Sequence, residues 1–325
     1  MRILVTGGAG YVGSTTAERL IGAGHEVVVY DSLVRGYRGA VPPAATLVVG
    51  DFGDAQAFEK ALREHQVEAV LHCAGLALVG ESVSQPDRYF KVNVVAGLQM
   101  LDAMRAAGVG RICFSSSAAV YGEPTRTPIE EDDPLRPVNP YGETKRAFEG
   151  MLEWHARAFG MAAVSLRYFN AAGATAERGE DHRPETHLIP NILAAYKGGA
   201  RLKVFGTDYP TKDGTCIRDY VHVDDLADAH AAALALTADV SGKHVVCNLG
   251  SGSGFSVLEV LEAAKSVVGS EVPHDIAARR AGDPPALVAS NERAREMLGW
   301  QPRRGALTEM IGSAWEWRQR HPNGY

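Results

Sequence analysis

Two alternating patterns of apolar and polar residues divide the first half of the chain. Short β-branched runs predict strands at 2–6, 26–30, 46–49, 67–73, 110–115 and 162–168. Apolar positions at helical spacing predict helices near 12–23, 54–65, 86–107 and 140–159. Because strands and helices alternate, the pattern indicates βαβ crossovers and an α/β fold with a doubly wound parallel sheet.

The alternation weakens after about residue 170. A polar, loop-like stretch covers 171–184, and element signals return near 220–236, 244–266, 291–298 and 306–318. We therefore predict a first domain over 1–170 that also takes in parts of 218–248. A smaller, interleaved α/β domain is predicted over 171–325.

Composition narrows the class of protein. The net charge of −6 argues against a globally basic nucleic-acid binder. No apolar run reaches the length of a membrane span, and Met1 leads directly into the first predicted strand. The four cysteines are scattered without Cys-x-x-Cys spacing, which predicts free thiols and no metal site. We expect a cytoplasmic protein without nucleic-acid or membrane partners.

A glycine-rich segment follows the first predicted strand. Gly7, Gly10 and Gly13 are spaced as Gly-x-x-Gly-x-x-Gly, with Tyr11 and Val12 opening the next predicted helix. Glycine lets the backbone approach a pyrophosphate, and the helix N-terminus presents free N–H groups and positive dipole to the anion. Tight turns alone are the competing interpretation, but the strand–turn–helix context favours a Rossmann-type dinucleotide site.

Two acidic residues extend this candidate site. Asp31 ends the second predicted strand, where a carboxylate accepts from an adenosine ribose diol and disfavours a 2′-phosphate. This favours NAD over NADP, although Arg35 and Arg38 nearby weaken the preference. Asp51, followed by Phe52, is a candidate for the adenine amino group or simply a turn residue.

A tyrosine and a lysine share one face of the predicted helix 140–159. Tyr141 and Lys145 are four residues apart, so both side chains reach one site. A nearby ammonium is expected to lower the phenol pKa from about 10, which makes a proton acceptor for a sugar hydroxyl. Ser117 ends the fifth predicted strand, at the sheet edge where ligands bind, and is placed to orient the hydroxyl or the phenol.

Several segments together resemble the UDP-glucose (UDP-galactose) 4-epimerase family of the extended short-chain dehydrogenase/reductase superfamily. They include 6–13, 80–82, 114–122, 139–142, 166–170, 205–209, 213–223 and the ending 321–325. The stretch 213–223, Asp-Gly-Thr-Cys-Ile-Arg-Asp-Tyr-Val-His-Val, is far more specific than the glycine pattern.

The resemblance implies a role for each candidate residue. Tyr141 would be the catalytic base, with Lys145 tuning it and binding the nicotinamide ribose, and Ser117 assisting. The cofactor site would comprise Gly7, Gly10, Tyr11, Val12, Gly13, Asp31, Asp51, Phe52, Tyr141, Lys145 and Tyr168. The substrate site would comprise Ser117, Asn170, Leu188, Lys203, Phe205, Arg218, Arg280, Asp283 and Leu287. Leu188, Lys203 and Phe205 would frame uracil, Arg218 and Arg280 would clamp the diphosphate, and Asp283 would contact the uridine ribose.

The resemblance implies a redox-neutral inversion of a UDP-hexose through a 4-keto intermediate, with NAD as cofactor. It also implies a homodimer built on helices 86–107 and 140–159.

Three positions depart from the family pattern. Ala77 stands where many members have a pyrophosphate-side lysine, which predicts looser NAD retention. His187 stands where members often have asparagine, and we leave it out of the site. Leu287 stands where a tyrosine goes with selectivity for plain hexoses, so we expect activity on UDP-N-acetylglucosamine as well.

Two other functions remain open at this stage. A sugar-nucleotide 4,6-dehydratase shares the fold, NAD and the Tyr–Lys pair, but needs an acid pair beside the serine position. Ala118 and Ala119 stand there instead. A non-catalytic dinucleotide sensor needs the glycine turn but not Tyr141, Lys145 and Ser117 together. Without the resemblance, Arg218 is equally well explained as the ion-pair partner of Asp219 or Asp224.

Overall fold

A computed structural model describes residues 1–279 and 283–325. The strands are β1 (Arg2–Thr6), β2 (Glu26–Asp31), β3 (Thr46–Val49), β4 (Ala69–His72), β5 (Arg111–Ser117), β6 (Ala162–Tyr168), β7 (Asn170–Ala172), β8 (Leu202–Phe205), β9 (Ile217–Arg218), β10 (Tyr220–His222), β11 (His244–Leu249), β12 (Phe255–Ser256), β13 (His274–Ala277) and β14 (Ala286–Leu287). The α-helices are α1 (Tyr11–Gly22), α2 (Ala55–Glu64), α3 (Val79–Ser84), α4 (Pro86–Tyr89), α5 (Ala96–Ala107), α6 (Pro140–Phe159), α7 (Leu188–Tyr196), α8 (Val223–Leu236), α9 (Val257–Val268), α10 (Glu292–Leu298) and α11 (Leu307–Arg320).

Seven parallel strands form the main sheet in the order β11-β6-β5-β4-β1-β2-β3. The order runs outward from β1 in both directions, so the winding reverses between β1 and β4. In open parallel sheets, ligands bind outside the carboxyl ends of the strands at such a reversal. The predicted doubly wound, Rossmann-type α/β fold is confirmed.

Alternate residues of each central strand supply two separate cores. Ile3 and Val5 of β1 point into a cluster that includes residues of α1 and α8. Leu4 points into the opposite cluster, which includes Phe58 of α2 and Phe148 of α6. The side-chain period of two therefore covers both faces of the sheet with helices.

The predicted helix 86–107 is not one regular helix. It consists of α4, a π-helical turn over Phe90–Val95, and α5. The wider turn contains the buried side chain of Asn93, which accepts from the Leu76 backbone N–H (2.8 Å) and donates to the Thr144 hydroxyl (3.0 Å). Periodicity did not predict this turn, because the hydrogen bonds that occupy Asn93 come from distant parts of the chain.

A smaller set of elements follows β6. In three short sheets, β10 pairs with β7, β9 pairs with both β12 and β14, and β13 pairs with β8. A third hydrophobic cluster joins α7, α9 and α11 through residues such as Ile192, Val260 and Ile311. Within this second half only β11 returns to the main sheet, beside β6, among the residues described. No helix in the described ranges is long and apolar enough to cross a lipid bilayer.

Candidate active site

The glycine-rich turn lies between β1 and α1, at the carboxyl edge of the main sheet. Gly7 has φ +69°, and a Cβ there would lie 2.6 Å from the backbone nitrogen of Ala74. Gly10 is the N-cap residue of α1, and no side chain among the described residues caps that helix end. The first N–H groups of α1 are therefore left to bind an anion, so this turn, here called the glycine cradle, fits a pyrophosphate.

Asp31 connects the end of β2 to this turn. Its carboxylate accepts from the backbone N–H groups of Ala9 (3.0 Å) and Leu33 (2.8 Å), and only 8% of the residue is exposed. An ionised carboxylate has about four acceptor sites, so both oxygens keep room for a ribose hydroxyl. The structure thus places Asp31 beside the glycine turn.

The other predicted cofactor-binding residues differ in whether their side chains are exposed or are used in contacts within the protein. Asp51 is exposed and accepts from the Gly53 backbone N–H at 2.8 Å, while the Phe52 side chain packs in a hydrophobic core. The Tyr11 hydroxyl donates to the Gly173 carbonyl at 2.5 Å and is buried. Phe52 and Tyr11 therefore have their side chains committed to packing and to an internal hydrogen bond.

The start of α6 brings Tyr141 to the end of β5. Asn139 accepts from the Gly142 backbone N–H at 2.8 Å, and Pro140 occupies the first turn, which confirms the predicted helix start. A Cβ on Gly142 would collide with the Ala119 carbonyl just beyond Ser117. This close approach sets the Tyr141 phenol within hydrogen-bonding reach of Ser117.

Lys145 lies one helical turn further on, in a buried position. Its Nζ donates to the Ser115 carbonyl at 2.8 Å and lies 4.7 Å from the centre of the Phe114 ring. The same nitrogen is 5.8 Å from the centre of the Tyr141 ring. Burial lowers the pKa of Lys145 to about 8, while nearby Cys73 and Glu149 oppose that shift.

Lys145 was expected to lower the pKa of Tyr141. For the protein without bound cofactor, this expectation is wrong. Burial raises the pKa of Tyr141, and the hydrogen bond with Ser117 only opposes that rise. The ammonium is itself buried and bound to a carbonyl, so its attraction does not offset the desolvation of the phenolate. Ionising Tyr141 therefore requires further positive charge at the site.

Tyr168 completes the group at the carboxyl ends of β5 and β6. Its phenol lies near Tyr141 and within hydrogen-bonding reach of Ser115, and burial raises its pKa well above 10. Ser115 in turn contacts the imidazole of His230 at 2.8 Å. The structure thus brings Tyr141, Lys145, Ser117 and Tyr168 together.

A buried ionic network behind these residues was missed by the sequence analysis. Glu149 of α6 accepts from the Ser116 hydroxyl (2.5 Å) and from Nη2 of Arg167 (2.6 Å). Arg167 also donates to the Tyr121 hydroxyl at 2.8 Å. The available signal was the position of Glu149, four residues after Lys145, which puts both on one helical face.

Several of the substrate candidates lie on the smaller sheets. Arg218 of β9 donates to the carbonyls of Ile217 (2.7 Å) and Pro284 (3.0 Å), and its other guanidinium nitrogen pairs with Asp283. The alternative pairing of Arg218 with Asp219 or Asp224 is therefore wrong. Asp219 instead accepts backbone N–H groups from the 251–252 turn and from residue 289.

The remaining candidates lie on β7, β8 and β14 and at the start of α7. Leu287 of β14 is the register partner of Arg218, and Asn170 donates to the Asp219 carbonyl at 2.9 Å. Lys203 and Phe205 lie on β8, and Leu188 begins α7. Arg280, predicted to bind the diphosphate, lies outside the described residues.

The fold and the site define a dinucleotide-binding protein of the short-chain dehydrogenase/reductase type. Residues 3–250 match the model of the NAD dependent epimerase/dehydratase family. The chain is 48% identical to a UDP-glucose 4-epimerase of Lactobacillus helveticus, over 100% of this chain and 99% of the relative.

Solved structures give the same result. A UDP-glucose 4-epimerase from Brucella ovis in complex with NAD has a TM-score of 0.93 and 44% identity, over 97% of both chains. The UDP-Glc/GlcNAc 4-epimerase from Campylobacter jejuni has a TM-score of 0.87 and 36% identity, over 98% of this chain and 99% of that chain. This chain belongs to the NAD dependent epimerase/dehydratase family, and the resemblance to UDP-glucose 4-epimerases is confirmed.

Proposed function

We propose that this chain interconverts UDP-glucose and UDP-galactose with NAD as a cofactor that each turnover regenerates. The observation that carries the proposal is the Tyr141 phenol beside Ser117, at the same sheet edge as the glycine cradle. When bound, NAD would supply a hydride acceptor and donor for C4 of the hexose, with its pyrophosphate held by the turn of Gly7, Gly10 and Gly13 and its ribose by Asp31.

The protein's own residues handle the proton and the positioning. Tyr141 takes the proton of the 4-hydroxyl as the C4–H bond breaks, and gives it back when that bond re-forms. Ser117 orients the phenol through its hydrogen bond. Lys145 keeps a buried ammonium near the phenol, held by the Ser115 carbonyl. The positive charge that the ring of the oxidised cofactor adds favours the Tyr141 phenolate further.

The nucleotide would be held away from the reacting carbon. The diphosphate would take over the guanidinium donors that Arg218 now gives to Asp283, leaving that carboxylate for the uridine ribose. A planar guanidinium suits this exchange because it binds phosphate bidentately. Asn170, Leu188, Lys203 and Phe205 complete the proposed UDP site, with Arg280 as the second phosphate ligand.

The test follows a label at the reacting carbon. UDP-glucose with deuterium at C4 is incubated with the protein and a trace of NAD, and the products are analysed by NMR and mass spectrometry. UDP-galactose that keeps the deuterium supports the proposal. A product lighter by one water molecule would indicate a dehydratase, and a protein that converts no substrate would be a dinucleotide sensor. Either result would overturn the proposal.

A second substrate class is favoured by one position. Leu287 is the register partner of Arg218 and is half-buried, so it lies beside the proposed diphosphate clamp. Leucine is smaller than tyrosine and leaves more room for an N-acetyl group. We therefore propose that the chain also converts UDP-N-acetylglucosamine, as the name of the Campylobacter jejuni protein states for that enzyme. Absence of UDP-N-acetylgalactosamine from the products would refute this.

NAD retention is proposed to be weak. Ala77 is exposed in the loop after β4 and offers no cation to the pyrophosphate. We expect activity to fall on dilution of the protein and to recover when NAD is added. Activity that is independent of added NAD at every dilution would contradict this.

We also propose a cytoplasmic homodimer. Both predicted interface helices carry exposed apolar side chains, Val95 (53%) and Leu98 (42%) on one and Trp154 (66%) on the other. All four cysteines lie among the described residues, and none of them forms a disulfide. Sedimentation of wild type as a dimer and of Leu98→Glu as a monomer would support the assembly; a monomeric wild type would refute it.

The predicted domain division also stays a proposal. We propose that 1–170 with parts of 218–248 form the cofactor domain, and that the rest of 171–325 forms the substrate domain. Limited proteolysis with NAD should protect the first set of residues, and UDP should protect the second.

A further inference from the structure

Four side chains converge in the loop that precedes α7. Glu180, His182, Glu185 and His187 each offer one atom, and these atoms all lie within 4.8 Å of one another. The sequence spacing is Glu-x-His-x-x-Glu-x-His. Because the loop folds back on itself, two imidazoles and two carboxylates meet at one point.

The distances around this group form a closed ring. Oε1 of Glu180 lies 3.1 Å from Nδ1 of His182 and 2.7 Å from Nδ1 of His187. Glu185 closes the ring, with Oε1 at 2.9 Å from Nδ1 of His187 and Oε2 at 3.9 Å from Nδ1 of His182. Four ligands about 2.1 Å from a tetrahedral metal ion lie about 3.4 Å apart, which is the size of this ring.

Hydrogen bonds among these four side chains do not satisfy all of their polar atoms. A single Nδ1 carries at most one proton, yet Nδ1 of His187 faces two carboxylate oxygens. Oε2 of Glu185 is buried and has no hydrogen-bond partner among residues 1–279 and 283–325, although it lies 3.9 Å from Nδ1 of His182. The Glu180 side chain is 8% exposed. One central cation would be the missing partner of Oε2 of Glu185 and would accept the lone pairs of both imidazole nitrogens.

We propose that Glu180, His182, Glu185 and His187 bind one divalent transition-metal cation of the zinc class. Two imidazole nitrogens and two carboxylate oxygens form a tetrahedral ligand set typical of Zn²⁺, whereas Mg²⁺ prefers oxygen ligands in octahedral geometry. This site does not involve the cysteines, whose scatter led the sequence analysis to predict no metal.

The position of the cluster indicates what the metal does. The His182 ring lies edge-on to Tyr11, with centroids 6.4 Å apart, at the start of α1. His187 caps α7, whose first residue is the uracil candidate Leu188. The cation would therefore fasten the 180–187 loop between the glycine cradle and the start of α7. Its role is structural, because no reacting atom is placed there.

The test is metal binding by the whole chain. Protein freed of metal with a chelator is titrated with Zn²⁺ against a fluorescent competitor, and separately with Mg²⁺. We expect about one Zn²⁺ per chain in wild type and no competition from Mg²⁺. Loss of a hydrogen-bond partner to a metal ligand costs 10- to 100-fold in affinity, so His182→Gln and His187→Gln should each weaken binding by at least about 100-fold.

A matched substitution provides the control. His65→Gln changes a histidine at the end of α2, outside the cluster, and should bind Zn²⁺ like wild type. If the cluster variants do not fold by circular dichroism, X-ray absorption on zinc-loaded wild type should show two imidazoles among N/O ligands. Absence of zinc binding, equal binding by all variants, or a coordination shell without imidazole would overturn the proposal.

Discussion

The two halves of the proposed site are built differently. On the cofactor side, Tyr141 and Lys145 are buried on α6 and are fixed by the strand ends of one continuous sheet. On the substrate side, Arg218 lies on a two-residue strand, and its charged partner, Asp283, is itself a substrate candidate. The first half has its geometry before ligand arrives, whereas the second must exchange an internal ion pair for the ligand.

This difference separates two effects that substitutions should have. Removing a group from the preformed half should reduce turnover, because the group acts on the reacting atoms. Removing a group from the exchangeable half should weaken substrate binding, because Arg218 is proposed to hold the nucleotide away from the reacting carbon. The predictions below test this division.

Tyr141→Phe should have the largest effect. Loss of a general base should lower kcat about 100- to 10,000-fold, with little change in KM. Stopped assays of UDP-galactose conversion measure the loss, and Tyr196→Phe, whose hydroxyl donates to the Val268 carbonyl, is the control. A Tyr141→Phe enzyme within about threefold of wild type would remove Tyr141 from the chemistry.

Arg218→Ala should act on binding instead. A charge-assisted hydrogen bond is worth about 1.5–3 kcal/mol, so KM for the UDP-sugar should rise about 10- to 100-fold while kcat stays close to wild type. The control is Arg201→Ala, which removes an exposed pair with Asp275 and should change neither constant. A drop confined to kcat would contradict the division between the two halves.

Buried histidines in the preformed half should also make the free energy of unfolding depend on pH. Burial lowers the pKa of His72 to about 3 and that of His230 to about 4, against 6.5 when exposed. Both folded pKa values are depressed, so only the unfolded chain takes up these protons as pH falls below 6.5. The free energy of unfolding should therefore fall between pH 6.5 and about 4, by up to about 2 kcal/mol per histidine by pH 5.

Urea unfolding at several pH values, with a chelator present, measures this effect. Desolvation lowers the pKa of His187, but Glu180 and Glu185 outweigh it and raise that pKa to about 10, so His187 stays protonated in the folded state and changes the free energy of unfolding by less than about 0.5 kcal/mol below pH 6.5. His230→Gln should flatten the slope by about one proton. An unchanged slope in that variant would show that His230 does not stay neutral in the folded protein.

Leu287→Tyr should have the smallest effect. The larger ring should lower conversion of UDP-N-acetylglucosamine relative to UDP-glucose by about tenfold, the scale of discrimination that a pocket gains from shape alone. Leu287→Met conserves volume and should keep the ratio. An equal loss for both sugars would place Leu287 outside the sugar pocket.

The sequence predicted the sheet half well because local rules govern it. The β-branched runs gave all seven strands of the main sheet but β11 within one or two residues, and Asn139, Pro140 and Gly160 gave the bounds of α6. It did not predict the π-helical turn, the Glu149–Arg167 pair or the Arg218–Asp283 pair. Each of these joins residues distant in the chain, so no window of sequence contains both partners.

The spacing of apolar and glycine residues alone determined the parallel sheet, the cradle after β1 and the shared helical face of Tyr141 and Lys145, because backbone sterics and periodicity act locally. Only the tertiary structure decided the charge state of those groups. Burial raises the pKa of Tyr141 despite the lysine beside it, since desolvation depends on everything packed around a group. The meeting of Glu180, His182, Glu185 and His187 was decided there too, by the path of a loop that no periodic pattern describes.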